Sequence, residues 1–267
     1  MSKLIATTTA ALAVCLGVGT SHATFKLIDE NSSLSGDVTS DDFTDNFEVK
    51  NFVVDGADPL FSHSLSFNVA GGSTKFDVVT DRTGELNTDF DGSGKPDNLF
   101  ATFADPDGRF NVEVNNRLEG GQPGSGVADL AQQIQVNNTS DSDLDFSLIY
   151  FANYDIAGDF AGDSALQVNE NTLVQSDGAQ FVETVFTPAA DVDIQETTFM
   201  PNAVGSLNDD STGDLSWTLQ WDAEIASGGT FHVTLDTRTI IPEPGSSVLL
   251  LTGLFLTGRG LRRPAKG

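Results

Sequence analysis

Apolar and polar residues alternate along most of the central part of the chain. The alternation is strongest in Leu215–Trp221 and is also clear in Phe47–Lys50, Leu65–Val69, Phe110–Val114 and Leu144–Leu148. Alternation with a period of two places successive side chains on opposite faces of a β-strand. The pattern therefore predicts many short strands, each with one buried face.

Turn-forming residues separate these runs. Asp105-Pro106-Asp107-Gly108 predicts a tight turn, because proline fixes φ for the second position of a type I turn and glycine permits a left-handed exit. Residues 120–126, Gly-Gly-Gln-Pro-Gly-Ser-Gly, predict a flexible connection that could divide two sheets or two subdomains. Only residues 128–133 hint at a helical period, over too few positions to predict a helix.

Short strands with frequent turns predict an all-β fold. We expect an antiparallel β-sandwich, jelly-roll-like, formed by a single domain over residues 24–240. The polar and acidic residues 24–46 are expected to be a loose leader or an edge strand.

The N-terminus predicts export. Lys3 precedes an uncharged, mostly apolar stretch, Leu4–Val18, and Ser21-His22-Ala23 offers the small residues that a signal peptidase requires. Residues 1–23 are therefore expected to be a signal peptide cleaved before Thr24. Cys15 is the only cysteine and would leave with it, so the mature chain would have no disulfide and no thiolate site.

The C-terminus, residues 241–267, has three parts in a fixed order. Pro242-Glu243-Pro244 is followed by the apolar run Val248–Leu256 and then by a basic end. Proline cannot continue a helix or donate to a sheet, so the first part separates the tail from the domain. Basic residues resist translocation and stop a membrane segment at the cytoplasmic side. Those predicted to do so are Arg259, Arg262 and Arg263.

This order of parts resembles the PEP-CTERM sorting signal of Gram-negative bacteria. The resemblance implies processing by an exosortase near the motif, transient association with the inner membrane, and release to the cell surface or extracellular matrix. It also implies a connection with exopolysaccharide and biofilm. The apolar run departs from the family in being shorter than the roughly 20 residues that a bilayer core requires.

The chain is strongly acidic, with a formal net charge of −26. No lysine or arginine occurs between Arg117 and Arg238. Such a surface repels nucleic acid and anionic lipid, so nucleic acid is not an expected partner. The charge is explained by solubility outside the cell, and it is also compatible with binding of divalent cations.

One acidic loop predicts a metal site. Residues 89–97 carry carboxylates at the first, third and ninth positions, a hydroxyl at the fifth and glycine at the sixth, as in an EF-hand calcium loop. The loop is similar to those of dockerins and FG-GAP repeats. The twelfth position is Phe100 where an EF-hand has glutamate, so a bidentate ligand is missing. The resemblance implies side-chain ligands Asp89, Asp91, Ser93 and Asp97, and a carbonyl ligand from Lys95.

The alternative for this loop is an acidic, glycine-rich turn without a metal. A second acidic loop places Asp155, Asp159 and Asp163 four residues apart between glycines, and it suggests a weaker calcium or sugar site or an ordinary solvated loop. Trp217 and Trp221 share one face of a predicted strand, where they could be core residues or an aromatic platform for sugar rings.

No nucleophile motif points to an enzyme. The sequence has no G-x-S-x-G, and His63 and His232 stand alone, with His232 expected to be exposed. We therefore expect a non-enzymatic surface or matrix protein with a structural or adhesive role, stabilised by calcium if the acidic loop binds it. The alternatives are a calcium-dependent carbohydrate-binding module and a secreted polysaccharide hydrolase or lyase, since two suitably spaced carboxylates would suffice for the latter.

Overall fold

The computed structural model describes residues 23–38, 47–69, 81–105, 107–156, 158, 162–195 and 210–242. Within these ranges the chain is all-β, as predicted, and its strands form two antiparallel sheets. Residues 1–22 of the predicted signal peptide and the sorting tail beyond Pro242 lie outside the described residues. None of the described residues forms a helix with the length and apolarity that a membrane span needs.

Among the described residues, the first sheet has seven strands. It combines the beginning, middle and end of the described chain. In spatial order the strands are β1 (Ala23–Asp29), β2 (Ser32–Val38), β3 (Phe47–Val54), β4 (Leu60–Val69), β9 (Leu144–Tyr154), β15 (Ser216–Ile225) and β13 (Asp191–Gln195).

In the part of the chain that the structure describes, the second sheet has nine strands. The final described strand, Thr230–Ile240, lies in its middle. In spatial order the strands are β14 (Asp210–Gly213), β10 (Asp163–Asn169), β11 (Thr172–Asp177), β12 (Gln180–Thr187), β16 (Thr230–Ile240), β8 (Val127–Asn138), β7 (Phe110–Gly120), β6 (Asn98–Ala104) and β5 (Asp81–Thr88).

The alternation of apolar and polar residues in the sequence corresponds to a buried face and an outward face on each strand. In β7, Phe110, Val112 and Val114 are buried, while the intervening Asn111 and Glu113 are only partly covered. Apolar surface removed from water contributes about 25 cal/mol per Å², so the register that turns these residues inward is strongly favoured. The outward positions remain polar and are available for recognition.

The inward faces of the two sheets pack against each other. Phe110 of β7 lies 6.4 Å, between ring centres, from Phe67 of β4 and 5.1 Å from Phe146 of β9. Phe186 of β12 meets Trp221 of β15 edge to face at 6.2 Å. These contacts across the interior establish a β-sandwich. With sheets of seven and nine strands it is larger than a jelly roll of about eight strands.

Both tryptophans belong to this core. Trp217 is stacked on Tyr150 and Tyr154, at 5.6 and 6.1 Å between ring centres. Trp221 donates its indole N–H to the carbonyl oxygen of Pro188 at 2.9 Å. The interpretation of Trp217 and Trp221 as core residues is confirmed, and they do not form an exposed platform for sugars.

A polar chain crosses the apolar interior. The Tyr150 hydroxyl donates to Gln132 at 2.9 Å, and the Gln132 amide donates to Asn116 at 2.7 Å. The ring of His63 packs on Tyr150 at 4.3 Å. Because His63 is fully buried, desolvation lowers its pKa to about 3 and keeps the imidazole neutral.

The structure decides three points that the sequence left open. In the first part of residues 24–46, β1 and β2 form a hairpin in which Leu27 and Leu34 are paired and buried, and β1 lies at the edge of its sheet, so the edge-strand alternative is confirmed there. Residues 128–133, with their hint of a helix, lie in β8. The glycine-rich segment 120–126 does not separate two sheets, because it connects β7 and β8, which are neighbours in one sheet.

That glycine-rich connection ties the two sheets together at one end. The carboxylate of Asp55, in the turn after β3, accepts hydrogen bonds from the backbone N–H groups of Gly124 and Gly126 at 2.8 and 2.7 Å. The backbone N–H of Ile241 donates to the carbonyl oxygen of Gly126 at 2.7 Å. Gly126 has a φ of 65°, and a Cβ there would lie 1.8 Å from the Ile241 carbonyl oxygen. Only glycine fits this position.

Candidate functional site

The predicted metal loop connects β5 and β6. The Asp89 carboxylate accepts backbone hydrogen bonds from Gly92 at 2.7 Å, Ser93 at 3.0 Å and Gly94 at 2.7 Å. Gly92 and Gly94 have positive φ values of 82° and 87°, which let the chain wrap around this carboxylate. The alternation of glycine and polar residues therefore shapes the loop locally.

Two more carboxylates converge on the same loop. Asp97 is buried and accepts hydrogen bonds from the backbone N–H groups of Phe90 at 2.7 Å and Asp91 at 3.3 Å. Asp91 is exposed, and the backbone N–H of Ser93, followed by the Ser93 hydroxyl, lowers its pKa. Carboxylate oxygens of Asp89, Asp91 and Asp97 all lie within 4.8 Å of one another.

This arrangement could hold a metal ion. Three carboxylates offer hard oxygen ligands, as Ca²⁺ and Mg²⁺ prefer. The other two predicted ligands are the Ser93 hydroxyl and the Lys95 carbonyl. Both residues lie in the same turn, because the backbone N–H of Lys95 donates to the Ser93 hydroxyl at 3.3 Å. Calcium would need about six to eight oxygen ligands, and carbonyl groups or water would have to supply the rest. The geometry supports a cation site without selecting calcium.

The second acidic loop is arranged differently. Asp163, the first residue of β10, is buried and accepts a hydrogen bond from the amide of buried Gln175 at 2.8 Å. Asp155 follows β9, and Asp159 lies outside the described residues. Among the residues that the structure describes, the carboxylates that could group around a metal are those of the first loop. Asp155 and Asp163 therefore do not join that site.

A polar groove of about 280 Å³ lies on the outward face of the nine-stranded sheet. It crosses four adjacent strands, β6, β7, β8 and β16. The sheet places amide, carboxylate, hydroxyl, imidazole and aromatic groups side by side there. The side chains that line it from the outward positions are Phe100, Glu113, Asn115, Gln133, Gln135, His232 and Thr234.

Strand pairing sets these side chains in two rows. In the first row, Phe100 pairs with Asn115, Asn115 with Gln133, and Gln133 with Thr234. Neighbouring strands lie about 4.8 Å apart, so the side chains in a row are spaced at contact distance. The Asn115 side-chain oxygen is buried and accepts no hydrogen bond. The first row therefore contains a strong acceptor that lacks a donor.

The second row runs parallel to the first. Glu113 pairs with Gln135, and Gln135 pairs with His232, which is exposed as expected. The Gln135 amide donates to Asn137 at 2.8 Å, and the Asn137 amide donates to Asn111 at 2.7 Å. These bonds fix the amide orientations at one end of the groove. A ligand would meet groups that are already oriented.

The carboxylate loop lies next to this groove. Phe90, at the start of the loop, packs on the guanidinium group of Arg117. Arg117 occupies the outward position of β7 next to Asn115, which lines the groove. The loop is also anchored by the backbone N–H of Leu118, which donates to the Asp97 carbonyl oxygen at 2.8 Å. Arg117 thus lies between the predicted loop and the groove.

Sequence reasoning missed the groove. Its residues come from four strands, and none of them stands in a recognisable motif. One signal was present: amide side chains recur at alternating positions in two consecutive strands. They are Asn111 and Asn115 in β7, and Gln133, Gln135 and Asn137 in β8.

No family model matches the chain, and no curated protein matches it. The fold is nevertheless shared with solved structures. The Slr1438 protein from Synechocystis sp. PCC 6803 has a TM-score of 0.52 and 11% identity, and the match covers 90% of this chain and 100% of that one. A protein of Escherichia coli assigned as an aldose 1-epimerase has a TM-score of 0.50 and 10% identity over 82% of this chain and 99% of the other.

A bacterial glucoamylase in complex with acarbose has a TM-score of 0.50 and 8% identity. The match covers 89% of this chain but only 36% of the glucoamylase, so the chain spans about a third of that enzyme. At these identities the similarity shows the fold alone. The shared architecture is a β-sandwich.

Proposed function

We propose that this protein is an exported carbohydrate-binding protein whose groove on the nine-stranded sheet binds a saccharide. The observation that carries the proposal is the row of Phe100, Asn115 and Gln133 across three paired strands, with a buried Asn115 oxygen that has no donor. Sugar hydroxyls both donate and accept hydrogen bonds, so amide side chains are well suited to them. An aromatic ring supplies an apolar surface for the face of a sugar ring.

Charge selects the class of saccharide. The chain has a net charge of −26, and Glu113 adds a carboxylate to the groove itself. An anionic polysaccharide would be repelled at long range and would leave Glu113 beside a like charge. A neutral saccharide instead offers hydroxyl donors to that carboxylate. The proposed ligand is therefore a neutral glycan.

The composition of the groove favours binding over hydrolysis. Glycosidases generally place two carboxylates on either side of the scissile bond. Among the described residues that line the groove, Glu113 is the carboxylate, and its neighbours in the sheet are Thr102 and Gln135. This arrangement supports a binding module rather than a hydrolase or lyase.

The chain ends suggest where binding takes place. We propose that signal peptidase and an exosortase process the chain, and that the product binds exopolysaccharide at the cell surface or in the extracellular matrix of a Gram-negative bacterium. Support comes from the order of Pro242-Glu243-Pro244, apolar run and arginines in the sequence. Calcium held by the Asp89 loop would stabilise the surface beside the groove.

Binding can be tested with the secreted protein and a panel of neutral hexasaccharides, namely maltohexaose, cellohexaose and mannohexaose, by calorimetry with and without calcium. We expect one of them to bind, and Asn115→Ala and Gln133→Ala each to weaken binding at this groove at least tenfold. Gln180→Ala, on β12 of the same sheet, is the matched control and should bind as the wild type does. The proposal fails if none of the three sugars binds, or if both groove variants bind normally.

Processing requires a separate experiment. Mass spectrometry of the protein from the culture medium and from cells should find a mature N-terminus at Thr24 and a C-terminus near Pro242. Deletion of the exosortase should retain the tail and keep the protein in the cell. An extracellular chain that still carries Arg262 and Arg263 would exclude the proposed sorting.

A further inference from the structure

The opposite outer face of the sandwich carries a second groove, of about 480 Å³. It lies on the seven-stranded sheet, across β4, β9 and β15. Its polar side chains come from outward positions, as those of the first groove do. They are Asn68, Asp145, Ser147, Gln220, Asp222 and Glu224.

Three of these groups, Ser147, Gln220 and Asp222, are joined by hydrogen bonds. Ser147 pairs with both Asn68 and Asp222 across the strands. The Ser147 hydroxyl donates to the Asp222 carboxylate at 2.5 Å, and the Gln220 amide donates to the same carboxylate at 2.9 and 3.1 Å. The Asn68 side-chain oxygen is buried and accepts no hydrogen bond. As in the first groove, an amide acceptor without a donor stands in a row of polar groups.

The chemistry of this groove fits a saccharide better than a metal ion. Asp145, Asp222 and Glu224 do not converge: among the described residues, the carboxylates close enough to share a metal are those of the Asp89 loop. Separated carboxylates that alternate with amide and hydroxyl groups match the spaced hydroxyls of a sugar. The Asp222 carboxylate is already oriented by two donors, which reduces the entropic cost of binding.

The two grooves face in opposite directions. The strands that carry them, β9 and β8, meet through their inward side chains, where Tyr150 donates to Gln132. Packed sheets lie about 10 Å apart, so the whole thickness of the sandwich separates the two outward faces. One short saccharide cannot reach both grooves, whereas two separate chains can occupy them together.

We infer that the groove around Asn68, Ser147 and Gln220 is a second binding site for neutral glycan, which makes the protein a cross-linker of two polysaccharide chains. This inference rests on the proposed function. It adds a structural activity: each molecule would be a junction between two glycan strands. Two sites on one rigid body also raise avidity for a polymer without any new contact.

Stoichiometry distinguishes this inference from the proposed function. The secreted protein is titrated with the same three hexasaccharides, and the expected result for the one that binds is two sites per chain. Gln220→Ala should leave one site, Asn115→Ala should leave the other, and the double variant should leave none. Gln180→Ala should keep both sites, and circular dichroism and thermal melting of each variant should show an intact fold.

Cross-linking has its own readout. Mixed with the long polymer of the sugar that binds (amylose, a soluble cellulose or mannan), the wild type should produce turbidity that the free hexasaccharide reverses. Gln220→Ala and Asn115→Ala should each remain clear while still binding the polymer. One site in the wild type, or normal turbidity with Gln220→Ala, would overturn the inference and leave the first groove standing. Failure of all three sugars to bind would overturn both.

Discussion

The guanidinium carbon of Arg117 lies 4.0 Å from the centre of the Phe90 ring. Phe90 belongs to the loop that gathers three carboxylates, and its own backbone N–H donates to one of them, Asp97. Arg117 lies beside Asn115 at the edge of the groove. The contact therefore connects the candidate cation site to the edge of the candidate glycan site. A change in the order of the loop is expected to change the position of Arg117 beside the groove.

The carboxylate loop is predicted to bind calcium. Binding to the folded state alone raises its stability in proportion to the logarithm of the ligand concentration. We expect calcium to raise the melting temperature of the wild type, and Asp89→Asn and Asp97→Asn to abolish both that increase and the heat of binding in calorimetry. Glu170→Gln, in an exposed turn, is the control. An equal calcium response in Asp89→Asn and the wild type would contradict the site.

Calcium is also predicted to strengthen glycan binding several-fold, because it would hold Phe90 on Arg117 beside the groove. Phe90→Ala should still bind calcium and glycan separately, but the affinity for glycan should no longer depend on calcium. The measurement is titration of the binding hexasaccharide in calcium and in EDTA. Val168→Ala removes an equally exposed apolar side chain at the far end of the sheet and should preserve the dependence.

The buried His63 predicts a loss of stability in mild acid. Its pKa is lowered to about 3 by burial, whereas the unfolded chain takes up the proton near pH 6.5. The unfolded state thus binds more protons between these values, and the free energy of unfolding decreases by about 1 kcal/mol per pH unit as the pH falls below 6.5. Denaturant unfolding at pH 7 and pH 5 should show a steeper decrease in the wild type than in His63→Phe.

The control for this prediction is His232→Gln. His232 is exposed on the outer face of β16, so its replacement removes a histidine and leaves the core intact. Carboxylates contribute equally to all three proteins, so the difference between variants isolates His63. An identical slope in the wild type and His63→Phe would refute the assignment.

Gly126 and Gly108 form a matched pair for backbone strain. Both have positive φ, 65° and 72°, but a Cβ on Gly108 meets nothing within 4 Å. We expect Gly108→Ala to cost about 1–2 kcal/mol for the left-handed conformation alone. Gly126→Ala adds the clash with the Ile241 carbonyl oxygen and should cost clearly more, and denaturant unfolding measures both. Equal losses of stability in the two variants would mean that the backbone at Ile241 moves away from the new Cβ at little cost in free energy.

The strands were predictable because their signal is local. Alternation in Phe110–Val114 and Leu215–Trp221 reflects one buried face, and burial of that face decides the conformation. The β1–β2 hairpin was anticipated only as an edge strand, one of two alternatives, because its serines and aspartates outnumber the inward Phe25, Leu27 and Leu34. The few apolar residues are spaced as in a strand, but the segment as a whole is polar, and its composition does not indicate a buried face.

The candidate sites also differ in whether their signal is local in the sequence. The Asp89 loop is contiguous, so its carboxylate spacing could be recognised directly. The groove depends on the register of Asn115 with Gln133 and of Gln133 with Thr234, and that register arises from pairings between distant segments. For the second acidic loop, the spacing of the aspartates did not reveal that Asp163 begins a strand and turns inward to Gln175.

The positions of β15 and β16 have a consequence for the order of assembly. Without β16 the larger sheet would fall into two fragments, since this strand alone joins β12 to β8, and without β15 the strand β13 would lose its partner in the smaller sheet. These are the last strands before the C-terminal tail. If the chain crosses a membrane from its N-terminus, neither sheet can be completed until β15 and β16 have emerged. A complete sandwich would therefore form only when translocation has reached the tail.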